Sequence, residues 1–139
     1  MNNLIIRDYN EDTDYDIVNK IINDNFSHNK EKGITASNVY QYVCLLDNEV
    51  VGYITLTKNK NVVRNQDYFL IDYVCTDIDH QGIGVGTKMF EFICDKAKNE
   101  DITYCKLTCS DKRGCAYRLY EKFNFEKYDT SVYRRYFKW

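Results

Sequence analysis

The spacing of apolar and polar residues divides the chain into short strands and amphipathic helices. Leu4-Ile5-Ile6-Arg7-Asp8 reads as an opening strand. Thr13 followed by Asp16 resembles a capping box, and Tyr15, Val18, Ile22 and Phe26 then recur at helical spacing. Residues 27–40 are polar and predict a loop with a short helix. Two β-rich runs, Tyr42 to Leu46 and Val50 to Leu56, flank the turn formers Asp47, Asn48 and Glu49, the pattern of a hairpin. Residues 58–67 are polar again and predict a loop. Tyr68 to Thr76 has little polar relief, as expected of a central strand buried on both faces. Beyond a glycine-rich turn, Val85, Met89, Phe92, Ile93 and Ala97 mark the buried face of a helix. Thr103 to Cys109 predicts a strand, and Ala116, Leu119, Tyr120 and Phe123 a further helix. Residues 125–128 and 132–138 then predict closing strands. Helices packed on a mixed α/β sheet are expected.

Composition narrows the choices. A chain of 139 residues without linker, repeat or low-complexity block favours a single domain spanning 1–139. A net charge of −2 and only short basic runs give no reason to expect nucleic acid or an anionic membrane as partner. No apolar stretch approaches the roughly 20 residues of a membrane span, and Met1 to Asp8 lacks a secretory pattern, so a cytoplasmic location is expected. Six cysteines contain no C-x-x-C pair, and His28 and His80 have no metal-ligand spacing. Buried, reduced thiols and no metal are expected. A cysteine nucleophile with His80 lacks a third group to orient the base.

Half of the six glycines, Gly82, Gly84 and Gly86, fall within five residues, just before a helix. A helix start presents unpaired amides and a positive dipole end, where phosphate binds. Glycines let successive amides approach a pyrophosphate; Thr87 can add a hydroxyl donor and Gln81 polar reach. The G-x-G-x-G spacing does not match the dinucleotide fingerprint, and Thr87-Lys88 has the wrong order for a P-loop. A glycine-rich connection without ligand also fits the spacing.

Gln81, Gly84 and Gly86 match [RQ]-x-x-G-x-[GA], and Ala116 to Phe125 reads Ala-Tyr-Arg-Leu-Tyr-Glu-Lys-Phe-Asn-Phe against A-x-x-x-Y-[EK]-K-x-G-F. In this order, separated by one helix and one strand, these elements resemble the GNAT N-acetyltransferase superfamily over Ile71 to Phe125. The resemblance implies a mostly antiparallel sheet of about seven strands with helices on both faces. It also implies acetyl-CoA as co-substrate, held along Gln81, Gly82, Ile83, Gly84, Val85, Gly86 and Thr87. Three positions depart from the pattern. Asn124 replaces glycine but tolerates a left-handed backbone. Ile78 stands where proline is frequent. Arg113 stands where asparagine often touches the pantetheine arm, and could instead reach a CoA phosphate.

The resemblance further implies that the strand end Val74-Cys75-Thr76 splays from its neighbour and binds pantetheine as an added strand, with the Val74 amide polarising the thioester carbonyl. Tyr120 is then the acid for the leaving thiolate, since a phenol (pKa about 10) stays protonated where a thiol (about 8.5) ionises. From the residues alone, Tyr120 is a core residue of its helix. Asp72, the one carboxylate inside the apolar strand, is the candidate base; alternation sets it on the face of Leu70, Val74 and Thr76. A structural aspartate bonded to a neighbour fits equally, and His80 is the runner-up base.

The implied activity is acetyl transfer to an amine by direct attack in a ternary complex. The acceptor site would draw on residues 24–40 and 58–67 and on the tail from Tyr133 to Trp139, including His28, Lys30, Glu31, Lys32, Arg64 and Asp67. Their mixed charge leaves small-molecule and protein amines both open. An acetyl-CoA sensor or interaction module without turnover is the alternative. The tyrosine-rich C-terminal strands could complete the sheet or form a homodimer edge.

Overall fold

The sheet grows outward from one tight turn in a computed structural model that describes residues 3–109 and 114–138. Asp47 and Asn48 both adopt left-handed backbone (φ 49° and 71°). That conformation makes a two-residue turn whose twist matches paired antiparallel strands. The turn joins β2 (Val39–Leu46) to β3 (Glu49–Asn61). β4 (Gln66–Thr76) follows β3 through residues 62–65, and β1 (Leu4–Asp8) lines the other side of β2. β5 (Tyr104–Leu107) runs parallel to β4, and the five-stranded sheet has the order β1-β2-β3-β4-β5.

Helices cover both faces. α1 (Glu11–Phe26) buries Val18, Ile21 and Ile22 against Val43, Leu45, Tyr53 and Cys75. α2 (Val85–Asn99) buries Val85, Met89, Phe90 and Ile93 against Tyr42, Cys44, Ile54, Leu56, Phe69 and Ile71. The alternation of 42 and 44 with 43 and 45 between these cores is the two-residue period of a strand covered on both sides. α3 (Gly114–Lys122) follows β5 and adds Leu119 and Tyr120 to the α2-side core, joined there by Phe123 and Phe125. At the end of this helix Asn124 holds φ 63°, as expected for the residue replacing glycine.

Several sequence expectations need correction. The described chain forms five strands, not about seven: residues 125–138 contain no strand, and Tyr133 (93%) and Phe137 (80%) are exposed. β-propensity makes no strand without a hydrogen-bonded neighbour, and no described segment pairs with the outer side of β5. The polar stretch 58–67 is mostly ladder, because Lys58 to Asn61 pair with Phe69 to Gln66. A ladder needs only backbone groups, so the hydrophobic pattern does not reveal it where the paired residues are polar. Residues 27–38 form no helix. They lie along α1, whose Asn19 side chain accepts from the Lys30 amide (2.7 Å) and whose Glu11 accepts from Gly33 (2.9 Å).

β4 carries one irregularity that matters for the site. Thr55 pairs with Tyr73 and the next residue, Leu56, pairs with Ile71, so Asp72 is the extra residue of a β-bulge. A bulge reverses the alternation beyond it. Phe69 and Ile71 face the α2-side core, whereas Cys75 faces the α1 side and the Tyr73 ring meets Phe26 of α1. Val74 now packs on the α2 side. The simple alternation expected through 70, 72, 74 and 76 therefore fails at Asp72.

α1 starts at Glu11, two residues before the expected capping box. Asn10 is its cap, accepting from the Asp12 amide at 3.0 Å. The nearby Asp14 is buried (2% exposed) and takes both nitrogens of Arg7 at 2.7 and 2.9 Å, plus the Asn10 amide at 2.8 Å. Removing one partner of such a pair strands the other, but Arg7 is 40% exposed and stays hydrated. Asp14→Ala is therefore expected to cost about 2 kcal/mol, below the value for a fully buried pair. The Arg7 hydrogen bond holds the Asp14 carboxyl below its ordinary pKa. This contribution is complete above the unfolded-state value and is lost as pH falls through the depressed one. Urea unfolding of both proteins should show the gap at neutral pH and a smaller gap in acid.

Candidate functional site

The turn before α2 uses its glycines for two different reasons. Gly82 (φ 79°) and Gly84 (φ 96°) occupy backbone conformations that side chains resist. Gly86 does not; a Cβ there would lie 3.1 Å from Leu119 Cδ2, so its smallness lets α3 approach the start of α2. Gly84 is the N-cap, and among the described residues no side chain caps the helix. The ladder begins with the Lys88 amide bonding the Gly84 carbonyl at 3.0 Å, so the amides of Val85, Gly86 and Thr87 have no intrahelical partner. Gln81 to Gly84 are exposed. Such a turn, at the positive end of a 15-residue helix, has the chemistry to receive an anion and is called the cradle below.

β4 leads directly into that cradle. Its pairing with β5 ends at Ile71 opposite Leu107, and from Asp72 to Thr76 no described strand lies beside it on that side. A strand edge open in this way can receive an extended amide-containing chain. Val74, Val85, Leu119 and Tyr120 all pack on the α2-side core, so the open edge, the cradle and Tyr120 share one side of the sheet. Tyr120 is half-buried, its ring 5.7 Å from that of Phe90 and 6.4 Å from that of Phe125.

The other expected residues separate. Asp72 sits at the bulge, where β5 pairing stops. Its side chain reaches solvent, yet the hydration it has lost raises its pKa. His80 closes the 3-10 turn Ile78–His80 and its Nδ1 lies 2.7 Å from Asp77 Oδ2. That contact ties it to the base of the cradle rather than to the strand edge. Arg113 lies outside the described residues. Lys122, present in the quoted motif but given no role there, brings Nζ to 3.5 Å from Thr87 Oγ1 and adds a positive charge beside the cradle. Desolvation pushes the Cys44 and Cys105 thiols up to about 11, away from nucleophilic use. Among the described residues no cluster of His, Cys, Asp or Glu could hold a metal, and no helix is long and apolar enough to cross a membrane.

Comparison with known proteins supports the fold. A transcriptional regulator from Bacillus halodurans C-125 has the same fold, with a TM-score of 0.83, 19% identity, and coverage of 96% of this chain and 99% of that one. A ribosomal-protein-alanine N-acetyltransferase from Brucella melitensis biovar Abortus 2308 superposes with a TM-score of 0.79 at 16% identity, covering 96% and 99%. An aminoglycoside N-acetyltransferase solved in complex with CoA gives 0.79 at 11% identity, covering 99% and 97%. No curated protein matches by sequence. The sequence model of the acetyltransferase (GNAT) family matches residues 4–125, which include the cradle, the open strand edge and Tyr120, and the chain belongs to that family.

Proposed function

We propose that this protein transfers an acetyl group from acetyl-CoA to an amine, the acceptor being a small molecule that attacks directly in a ternary complex. The observation that carries the reading is the continuity of uncapped α2 amides with the open edge of β4, on the side where Tyr120 packs. In this reading the amides of 82–87, Thr87 and Lys122 take the pyrophosphate. Backbone groups of Val74, Cys75 and Thr76 bind the pantetheine arm as a missing strand would. The Val74 amide polarises the thioester carbonyl. Tyr120 protonates the departing sulfur. Asp72 was expected as a buried base. Exposed at the bulge, it is placed to meet an incoming ammonium from solvent and to hold it by charge.

Two measurements test the reading in sequence. Acetyl-CoA at 100 times its Kd should stabilise the protein by about 2.7 kcal/mol, read as a rise in Tm. Thiol release from acetyl-CoA should then accelerate when a panel of amines is added. A rise in Tm without amine-dependent thiol release would favour an acetyl-CoA sensor; no rise in Tm would remove the acetyl-CoA reading altogether.

A further inference from the structure

The residues that end α1 are arranged to carry His28 onto β4. Asn25 Nδ2 donates to the carbonyls of Ile21 (2.8 Å) and Thr76 (3.0 Å), fastening the last turn of the helix to the end of the strand. Phe26 packs edge-on against Tyr73, with centroids 5.1 Å apart and planes at 90°. Ser27 then reverses the chain in left-handed backbone (φ 60°), its amide bonded to the Asn23 carbonyl at 2.9 Å. That conformation costs a non-glycine residue about 1 kcal/mol, so its neighbours must hold it. The result sets the exposed His28 ring 6.0 Å from the Tyr73 ring, with Nε2 3.3 Å from the Tyr73 hydroxyl.

His28 Nδ1 lies 3.4 Å from the Asn29 carbonyl, which can only accept, and the tautomer with its hydrogen on Nδ1 suits that contact. Nε2 is then an acceptor and the Tyr73 hydroxyl donates to it. The Tyr73 oxygen keeps lone pairs that can accept an N–H. Tyr73 stands between Asp72 and Val74 on the open part of β4, with its ring on the α1 side, opposite the face that holds the cradle and Tyr120.

We propose that Tyr73 and His28 form a proton relay that deprotonates the acceptor ammonium; this rests on the transfer reading above. The Tyr73 oxygen takes one proton from the ammonium nitrogen while its own hydroxyl proton passes to His28 Nε2. The outcome is a neutral amine, an intact phenol and an imidazolium, which returns the proton to water. The amine lone pair then forms the N–C bond to the acyl carbon and the C–S bond breaks. Tyr120 gives its proton to the sulfur and takes the surplus proton from the new amide nitrogen. Tyr73 touches the amine and is the catalytic residue of the pair; His28 acts through it.

The test uses the full chain, acetyl-CoA and two nucleophiles. n-Butylamine is protonated at neutral pH and needs a base, whereas hydroxylamine is already neutral. His28→Ala should lower kcat/KM for n-butylamine by about 100-fold, the scale of general base catalysis, and for hydroxylamine by less than about threefold. Added imidazole should restore part of the n-butylamine rate of the variant and leave the wild type unchanged. Tyr73→Phe should show the same split between nucleophiles. The Tm rise with acetyl-CoA should persist in both variants. An His28→Ala rate within about twofold of wild type, an equal loss for both nucleophiles, or a loss that imidazole does not repair overturns the relay while leaving acetyl transfer standing. Wild-type protein that turns over neither these nucleophiles nor any amine of the panel overturns the relay together with the transfer reading, and the Tm measurement then shows whether acetyl-CoA binding survives.

Discussion

Gly84→Ala is expected to weaken acetyl-CoA binding by about 10- to 100-fold while leaving the rest of the fold intact. Two effects add. Gly84 holds φ 96° as the N-cap of α2, and a Cβ there meets no described neighbour within 4 Å, so the substitution creates no clash among the described residues. Its cost is conformational, about 1–2 kcal/mol for a side chain in left-handed backbone. The chain can relieve that strain only by rotating the peptide, which turns the adjacent amides away from the anion. A tenfold change in affinity corresponds to about 1.4 kcal/mol, so the strain alone supplies the lower bound. Gly86→Ala is the matched comparison. Its backbone is unstrained, and among the described residues its new methyl would meet only the end of the Leu119 side chain, which can move. Isothermal titration with acetyl-CoA should rank Gly84→Ala well below Gly86→Ala. Equal losses at the two positions would mean that close packing, not amide direction, makes the cradle.

Tyr120→Phe should lower kcat by about 100-fold with both KM values within about threefold of wild type. General acid catalysis contributes on this scale, and the acid acts only as the C–S bond breaks, so ground-state binding is spared. The variant keeps the ring that packs on Phe90 and Phe125 and loses only the hydroxyl. The Tm should therefore change little, which separates chemistry from folding. Single-turnover thiol release is the deciding measurement, because it isolates bond cleavage from product release. Full single-turnover rate in Tyr120→Phe would return Tyr120 to the core role that its helical position alone suggests.

The sequence determined this protein where a function rests on consecutive residues. Gly82 and Gly84 before an amphipathic run mark a turn suited to an anion because backbone conformation and helix polarity are local properties, whereas Gly86 serves the approach of α3. Asn124 kept the left-handed turn for the same reason. The two helix faces were legible because burial imposes a 3.6-residue period whatever they pack against. Tertiary structure decided what depends on partners distant in sequence. The bulge at Asp72 exists only as a mismatch between β3 and β4, and it changed which residues flank the open edge. The ladder through Lys58 to Asn61 is carried by backbone groups that have no side-chain signature. Residues 125–138 have strand-like composition, yet a strand is a relation between two chain segments, and no described one is paired with them. The Tyr73–His28 contact joins residues 45 positions apart through a clamp, a left-handed reversal and an edge-on ring. No spacing rule encodes such a meeting, because each part is ordinary alone and only the packed α1–β4 junction gives them a common direction.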